Sequence, residues 1–357
     1  MAVLEKLADT KDILVKKGGS MTNLSGKVEH KISRRDFVKD AAFGAAAIAI
    51  MGSLDLSTPA QAQTKHGGLI RKINYNMKDM WKVVGPGNAD LLWWPKGGEL
   101  GGRNVNFSFG YYTRIGDWHD KETGGHYHPD GDEVLTFVGF DPNNPEYLGA
   151  EIEFDVSEEY EKHVFRVPTA CCFPRNVVHC PQITTKCENA YGFIVLSLEP
   201  AHKTIQMPQR STLDTTEGHK YDHLYKKLVF RKDIKAKTGP GNADALAWLK
   251  GTDLENFNVN LAWGFFSGTG DWGAKVHKHT SDQFLVFVSL DNERPYDLDA
   301  EIEIALEDEK HLVSSPSCVI VPEGLEHGPI VTKKVDKPFG FYMVRLDKGD
   351  PSEINPA

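Results

Sequence analysis

The chain has 357 residues, 40% of them hydrophobic and 25% charged, with a formal net charge of −9. That balance belongs to a globular protein of about two domains and excludes a disordered tail. The acidic surplus, 50 Asp and Glu against 41 Lys and Arg, gives no general attraction to nucleic acid, and no apolar run reaches the length of about 18 residues that a spanning helix needs.

The N-terminal segment reads as an export address. Ser33-Arg34-Arg35-Asp36-Phe37-Val38-Lys39 precedes an apolar stretch from Ala41 to Leu54, and Ala60-Gln61-Ala62 follows. A charged region, an apolar region and an A-x-A site together form a secretory signal, and the paired arginines resemble a twin-arginine signal. Residues 1–62 are therefore expected to be a signal peptide. The twin-arginine translocase would be a partner during export, and the mature protein would be periplasmic or secreted, without a membrane segment. Proteins on that route leave the cytoplasm folded. Copper and zinc outcompete manganese and iron at most nitrogen and oxygen sites, so folding inside lets metal availability choose the cofactor.

The rest of the chain is one unit written twice. Gly85-Pro86-Gly87-Asn88-Ala89-Asp90 returns as Gly239-Pro240-Gly241-Asn242-Ala243-Asp244, Gly116-Asp117-Trp118 as Gly270-Asp271-Trp272, and Ala150-Glu151-Ile152-Glu153 as Ala300-Glu301-Ile302-Glu303. The period is too long for a solenoid and predicts two similar domains, 63–205 and 206–357, joined in the polar stretch from Glu199 to Lys220. Asn104 to Phe109 and Asn258 to Trp263 alternate polar and apolar, which places Val105, Phe107 and Phe109 on one face and Val259, Leu261 and Trp263 on another. Short β-branched and aromatic runs, such as Val134–Val138 and Phe284–Val288, are punctuated by Asp, Asn, Pro and Gly. Many short strands predict an all-β barrel or sandwich, with helix confined to Met77–Val83 and Ser211–Lys227. The five cysteines, Cys171, Cys172, Cys180, Cys187 and Cys318, are too few and odd in number for a disulfide scaffold. One pair among the first four could close across a hairpin, or all could be buried apolar residues.

Histidines carry the chemistry. His126-Tyr127-His128 follows Gly124-Gly125 at a strand start, where alternation points both imidazoles to one side. Glu133 comes five residues later, and Pro174-Arg175-Asn176-Val177-Val178-His179 adds a third imidazole. Three imidazoles and a carboxylate suit a divalent metal. The second copy has His277-Lys278-His279, Gln283 where the first has Glu133, and Pro322-Glu323-Gly324-Leu325-Glu326-His327.

These motifs resemble the cupin superfamily, specifically a bicupin, over the whole chain after residue 62. The first family motif appears as Gly125-His126-Tyr127-His128, four residues, Glu133, then Gly139; the second as Pro174, Asn176 and His179, and as Pro322, Gly324 and His327. Asn176 stands at a glycine position and, as the best non-glycine residue for a left-handed turn, can keep that turn. The final Asn of the second motif is absent from both copies, and Ser289 replaces the glycine that closes the first motif. The resemblance implies two tandem double-stranded β-helix (jelly-roll) barrels with few short helices. It implies metal ligands His126, His128, Glu133 and His179, and in the second domain His277, His279 and His327 with Gln283. One or two divalent metals per chain are implied, Mn or Fe favoured, with Zn, Ni or Cu as alternatives. Without its carboxylate, the second site should bind more weakly or take a different metal.

The resemblance further implies a metal-dependent enzyme, read first as a dioxygenase-like oxidoreductase acting on a small phenolic or carboxylate substrate. A decarboxylase, lyase or isomerase of the bicupin type is the alternative, and a non-catalytic periplasmic binder of metal or ligand is the other. A homo-oligomer remains open. His119, after Gly116-Asp117-Trp118, is the candidate acid or base, set against a plain surface-loop reading; its partner in the second copy is Gly273. Cys180, next to His179, should point away from it on a strand. Tyr111, Tyr112 and Arg114 are candidates for a barrel mouth, His163 and His311 read as turn residues, and Glu151, Glu153, Glu301 and Glu303 as a solvated or interface face.

Overall fold

A computed structural model describes residues 64–76, 87–119, 125–208, 218–232, 241–273 and 275–349, all within the unit Ser57–Ala357. The expected signal peptide and the stretches at 77–83 and 211–217 lie outside the described residues. Apart from two short 3-10 turns, Gly67–Leu69 and Asp222–Leu224, the regular structure among the described residues is antiparallel strand. The short, β-branched and aromatic runs read as strands are strands. The C-terminal part of the expected helix is not helical: Tyr225–Lys227 is a strand, because it finds an edge to pair with on Thr169–Phe173.

Two sheets build each barrel. In the first barrel, one sheet runs in the order Tyr225–Lys227, Thr169–Phe173, Glu133–Gly139, Tyr191–Ser197, Phe109–Tyr112, Leu91–Trp93. The facing sheet runs Ile205–Gln206, His126–Tyr127, His179–Cys187, Ala150–Val156, Glu161–Phe165. The second barrel repeats this with Ile70–Lys72, Ser317–Val321, Gln283–Ser289, Phe339–Arg345, Asn260–Phe266 and Ala245–Leu249 opposite His327–Val335, Ala300–Leu306 and Glu309–Val313. The edge strands are exchanged. Ile70–Lys72, from the first half of the sequence, pairs with the second barrel, and Tyr225–Lys227, from the second half, pairs with the first. Each arm is pinned the same way. The N–H groups of Lys65 and His66 both donate to the Glu309 carboxylate at 2.8 Å, and those of Lys220 and Tyr221 to Glu161 at 3.3 and 3.1 Å.

Each barrel has its own apolar core, and a third lies between the barrels. The two alternating faces read from the sequence meet there: Phe107 packs edge-on to Phe284 with centroids 5.4 Å apart, and Phe109 stacks on Trp263 at 6.2 Å. Burying about 150–250 Å² per aromatic ring at roughly 25 cal/mol per Å² makes this shared core a main source of stability. The opposite parity of each central strand, Leu135 and Phe137 or Leu285 and Phe287, fills a barrel interior, so residues at positions 133 and 283 also point inward.

Tyr111 and Tyr112 do not line a mouth. Tyr111 donates to Ser289 O at 2.8 Å across the barrel interface, and Tyr112 stacks on Tyr191 inside the first barrel. Arg114 is a surface side chain that donates to the carbonyls of Asn88 and Ala89. His163 and His311 sit on strands rather than turns and are buried, His163 stacked on the arm residue Tyr225 at 4.2 Å. All five cysteines are free thiols, four of them buried.

Candidate metal centres

In the first barrel, alternation does what the H-x-H spacing requires: His126 and His128 are buried and Tyr127 is half-exposed. His126 pairs across the sheet with His179. The turn before His179 holds Asn176 at φ 67, and its N–H donates to His128 O at 2.9 Å, tying the two motifs together. The second barrel repeats the device with Gly324 at φ 77 donating to His279 O, also at 2.9 Å. Asn176 therefore does the work of the glycine.

Glu133 enters from the opposite sheet. Its Oε2 lies 3.3 Å from His128 Nε2 and 3.0 Å from His179 Nε2, with neither nitrogen aligned to hydrogen-bond it. His126, His128 and His179 offer ring nitrogens all within 4.8 Å of one another. The second-row contacts fix the tautomers: His128 Nδ1–H donates to Lys203 O at 2.8 Å and His179 Nδ1–H to Val177 O at 3.0 Å. Each ring is thereby set to present Nε2 to the centre, the arrangement metal-binding imidazoles use. Burial favours the neutral acid at Glu133, yet His128, His179 and His202 outweigh it and hold its pKa well below the usual range. Burial likewise opposes charge on His128, but Glu133 raises its pKa to about 9. A proton and a divalent cation compete for the same nitrogen here. The donor set, three imidazoles and one ionised carboxylate converging on a buried point, fits a borderline divalent metal.

Three residues missed in the sequence complete the surroundings. Ser197, paired across the sheet with Glu133, donates to Glu133 Oε1 at 3.0 Å, and His202 Nδ1 lies 2.8 Å from the Ser197 hydroxyl. His202 also packs on His128, with ring centroids 4.5 Å apart, and Glu199 approaches His128. Their signal was faint: Ser197-Leu198-Glu199 follows no motif, and only its replacement by Arg345-Leu346-Asp347 in the second copy sets it apart.

His119 is not a surface-loop residue. It is buried, and its ring lies 4.9 Å from that of His126 and 4.7 Å from that of Trp118. Burial, with the His179 ring beside it, pushes its pKa down to about 3. Cys180 does not point away either. A register shift between His179 and Gln182 breaks the strand alternation, and Cys180 sits at φ 74 with its sulfur beside His119 and His126.

The second barrel gathers His277, His279 and His327 in the same way, their ring nitrogens within 4.8 Å. His277 Nδ1–H donates to Lys275 O at 2.7 Å and His327 Nδ1–H to Leu325 O at 3.1 Å. The carboxylate is gone, and Gln283 lies 3.1 Å from His327 Nε2. Its Oε1 is the atom that faces His327 Nε2, and burial, with His277, pushes the His327 pKa down to about 3. Opposite Gln283 stands Arg345, where the first barrel has Ser197. It is 3% exposed, and its Nε donates to Asp347 at about 3 Å. Burial, His277 and the Arg345 charge bring the His279 pKa to about 4.

No protein-family model matches the chain, and no curated protein matches it in sequence. Solved structures of oxalate decarboxylase from Bacillus subtilis do match in shape. One point variant is 10% identical over 79% of this chain and 78% of that one, with a TM-score of 0.51. A two-residue deletion variant is 11% identical over 78% and 77%, and a further point variant 12% over 79% and 78%, both at a TM-score of 0.51. At such identity what is shared is the fold: this chain is an all-β protein of two tandem cupin barrels.

Proposed function

We propose that the protein is an exported metal-dependent enzyme whose working centre is the first barrel, with Mn(II) or Fe(II) held by His126, His128, His179 and Glu133. The observation that carries this reading is the pairing of an ionised, fully buried carboxylate with imidazoles whose Nδ1–H groups are already committed to backbone carbonyls. A cation there would supply Lewis-acid or one-electron chemistry to an oxygen atom of a small carboxylate or phenolate. The chain's own residues contribute orientation and dryness. Phe173 lies flat on His179 at 4.4 Å, and Phe154 and Trp118 close the barrel around the rings. His119, neutral and with both ring nitrogens unpaired among the described residues, is the candidate to carry a proton to or from substrate.

A dioxygenase-like oxidation is the first reading. A second, decarboxylation of a small dicarboxylate, is favoured by the oxalate decarboxylase structures among the fold neighbours. The test is metal analysis of protein exported by its own host, followed by assay with catechols and oxalate while dissolved oxygen and released carbon dioxide are both recorded. One equivalent of Mn or Fe in the first site with oxygen consumption supports oxidation. Carbon dioxide release without net oxygen uptake supports decarboxylation. Zinc with no Mn or Fe beside it, or no metal in the folded protein, overturns both.

A further inference from the structure

The first barrel carries two side chains beside its histidines that the second barrel lacks altogether. His119 corresponds to Gly273 and Cys180 to Gly328. The backbone makes the second replacement telling. Gly328 takes φ 85 and Cys180 takes φ 74, so the same left-handed turn is built in both barrels, and only in the first does a side chain bear it. That conformation is disfavoured for a residue with a Cβ, and glycine relieves it. The first barrel thus holds a thiol at a turn where the backbone favours glycine. His119 gives a second, independent sign: it is 3% exposed, and neither Nδ1 nor Nε2 has a hydrogen-bond partner among the described residues. Leaving such buried polar atoms unpaired is costly. His126 adds a third, because its Nδ1 is also buried and has no partner among the described residues.

We propose that His119, His126 and Cys180 form a separate, sulfur-containing cation site in the first barrel, suited to a thiophilic d¹⁰ ion of the Zn(II) or Cu(I) class. The three donor atoms lie within 4.8 Å of one another, and no carboxylate belongs to the set. Two imidazoles and a thiolate are a soft set, in contrast to the three imidazoles and carboxylate next to it. His126 is common to both sets. On binding, the Cys180 S–H bond gives way to a sulfur–metal bond, and one proton is released per ion. The inference stands apart from the proposed function and shares His126 and His119 with it. If a soft ion fills this set it takes His119 out of proton transfer.

The test uses the purified, metal-free protein titrated with Co(II), with the sulfur-to-cobalt charge-transfer band read in the near ultraviolet and proton release followed in parallel. We expect a band that saturates with one proton released per ion and is bleached by Zn(II). Cys180→Gly and His119→Gly install the residues the second barrel already uses at these turns, so both should fold. Cys180→Gly should abolish the band, and His119→Gly should weaken the binding that produces it by about 100-fold. Glu133→Gln should leave the band intact while Mn(II) binding falls, which separates this site from the neighbouring one. No band in the wild-type protein at saturating Co(II), a band that survives Cys180→Gly, or one lost in Glu133→Gln would each overturn the proposal.

Discussion

The two barrels descend from one plan and hold their histidine triads in the same frame, yet the pair of residues facing each other on the central strands differs completely. In the first barrel the pair is Glu133 and Ser197, and in the second it is Gln283 and Arg345. The exchange removes a negative charge and adds a positive one at the same height. The first barrel's centre presents a carboxylate held ionised by the imidazoles around it, a charge that favours a cation. In the second, three imidazoles face a guanidinium and an uncharged amide. A conserved scaffold of imidazoles is thus not enough to decide what a site binds; the charge across the sheet decides it.

The sharpest way to break the difference is to exchange that pair. Glu133→Gln should lower Mn(II) or Fe(II) affinity of the first barrel by about 100-fold, as read by calorimetric titration, because no other acidic side chain lies within contact of both His128 and His179 among the described residues. The reciprocal double change, Gln283→Glu with Arg345→Ser, should create a second equivalent of tightly bound metal, counted by elemental analysis. Gln283→Glu alone should gain much less, since the new carboxylate would pair with Arg345 instead.

Arg345→Ser alone should destabilise the protein by about 1 kcal/mol in denaturant unfolding, because Arg345 is buried but Asp347 is partly exposed and keeps donors from Asn260, Ser281 and Gly349. The matching change in the first barrel, Ser197→Ala, should lower metal affinity by about tenfold through loosening of Glu133, with stability nearly unchanged.

The smallest effect concerns Asp155, whose counterpart in the second barrel is Ala305. Burial raises the Asp155 pKa to about 7. The folded state therefore keeps a proton that the unfolded chain, titrating near the ordinary aspartate value of 3.8, has already lost. Stability from this group is full below the unfolded pKa and falls as pH rises to about 7, then levels off. Asp155→Ala should flatten the decline between pH 5 and pH 8 in unfolding curves, and an unchanged slope would assign the decline to other groups.

The strand faces were legible because a strand's period of two is a local property. Val105, Phe107 and Phe109 declare a shared face without any knowledge of what covers it. His126 and His128 were legible for the same reason, and His179 and Glu133 through the spacing of motifs around turns. What failed were residues whose surroundings come from elsewhere in the chain. Tyr225–Lys227 reads as helix in isolation and becomes a strand on a distant edge. Cys180 obeys alternation until a bulge turns it inward, and His119 reads as a loop residue until the barrel closes over it.

By itself, then, the amino-acid sequence determined the duplication, the all-β character and the imidazole triads, since these depend on repetition, periodicity and spacing along the chain. Only the tertiary structure decided the exchange of arms between barrels, the Ser197–His202 support behind Glu133, and the thiol beside His126. Above all it decided that Arg345 faces Gln283. Cross-strand partners far apart in sequence meet only when the sheet forms, and the electrostatics of both centres depend on those partners.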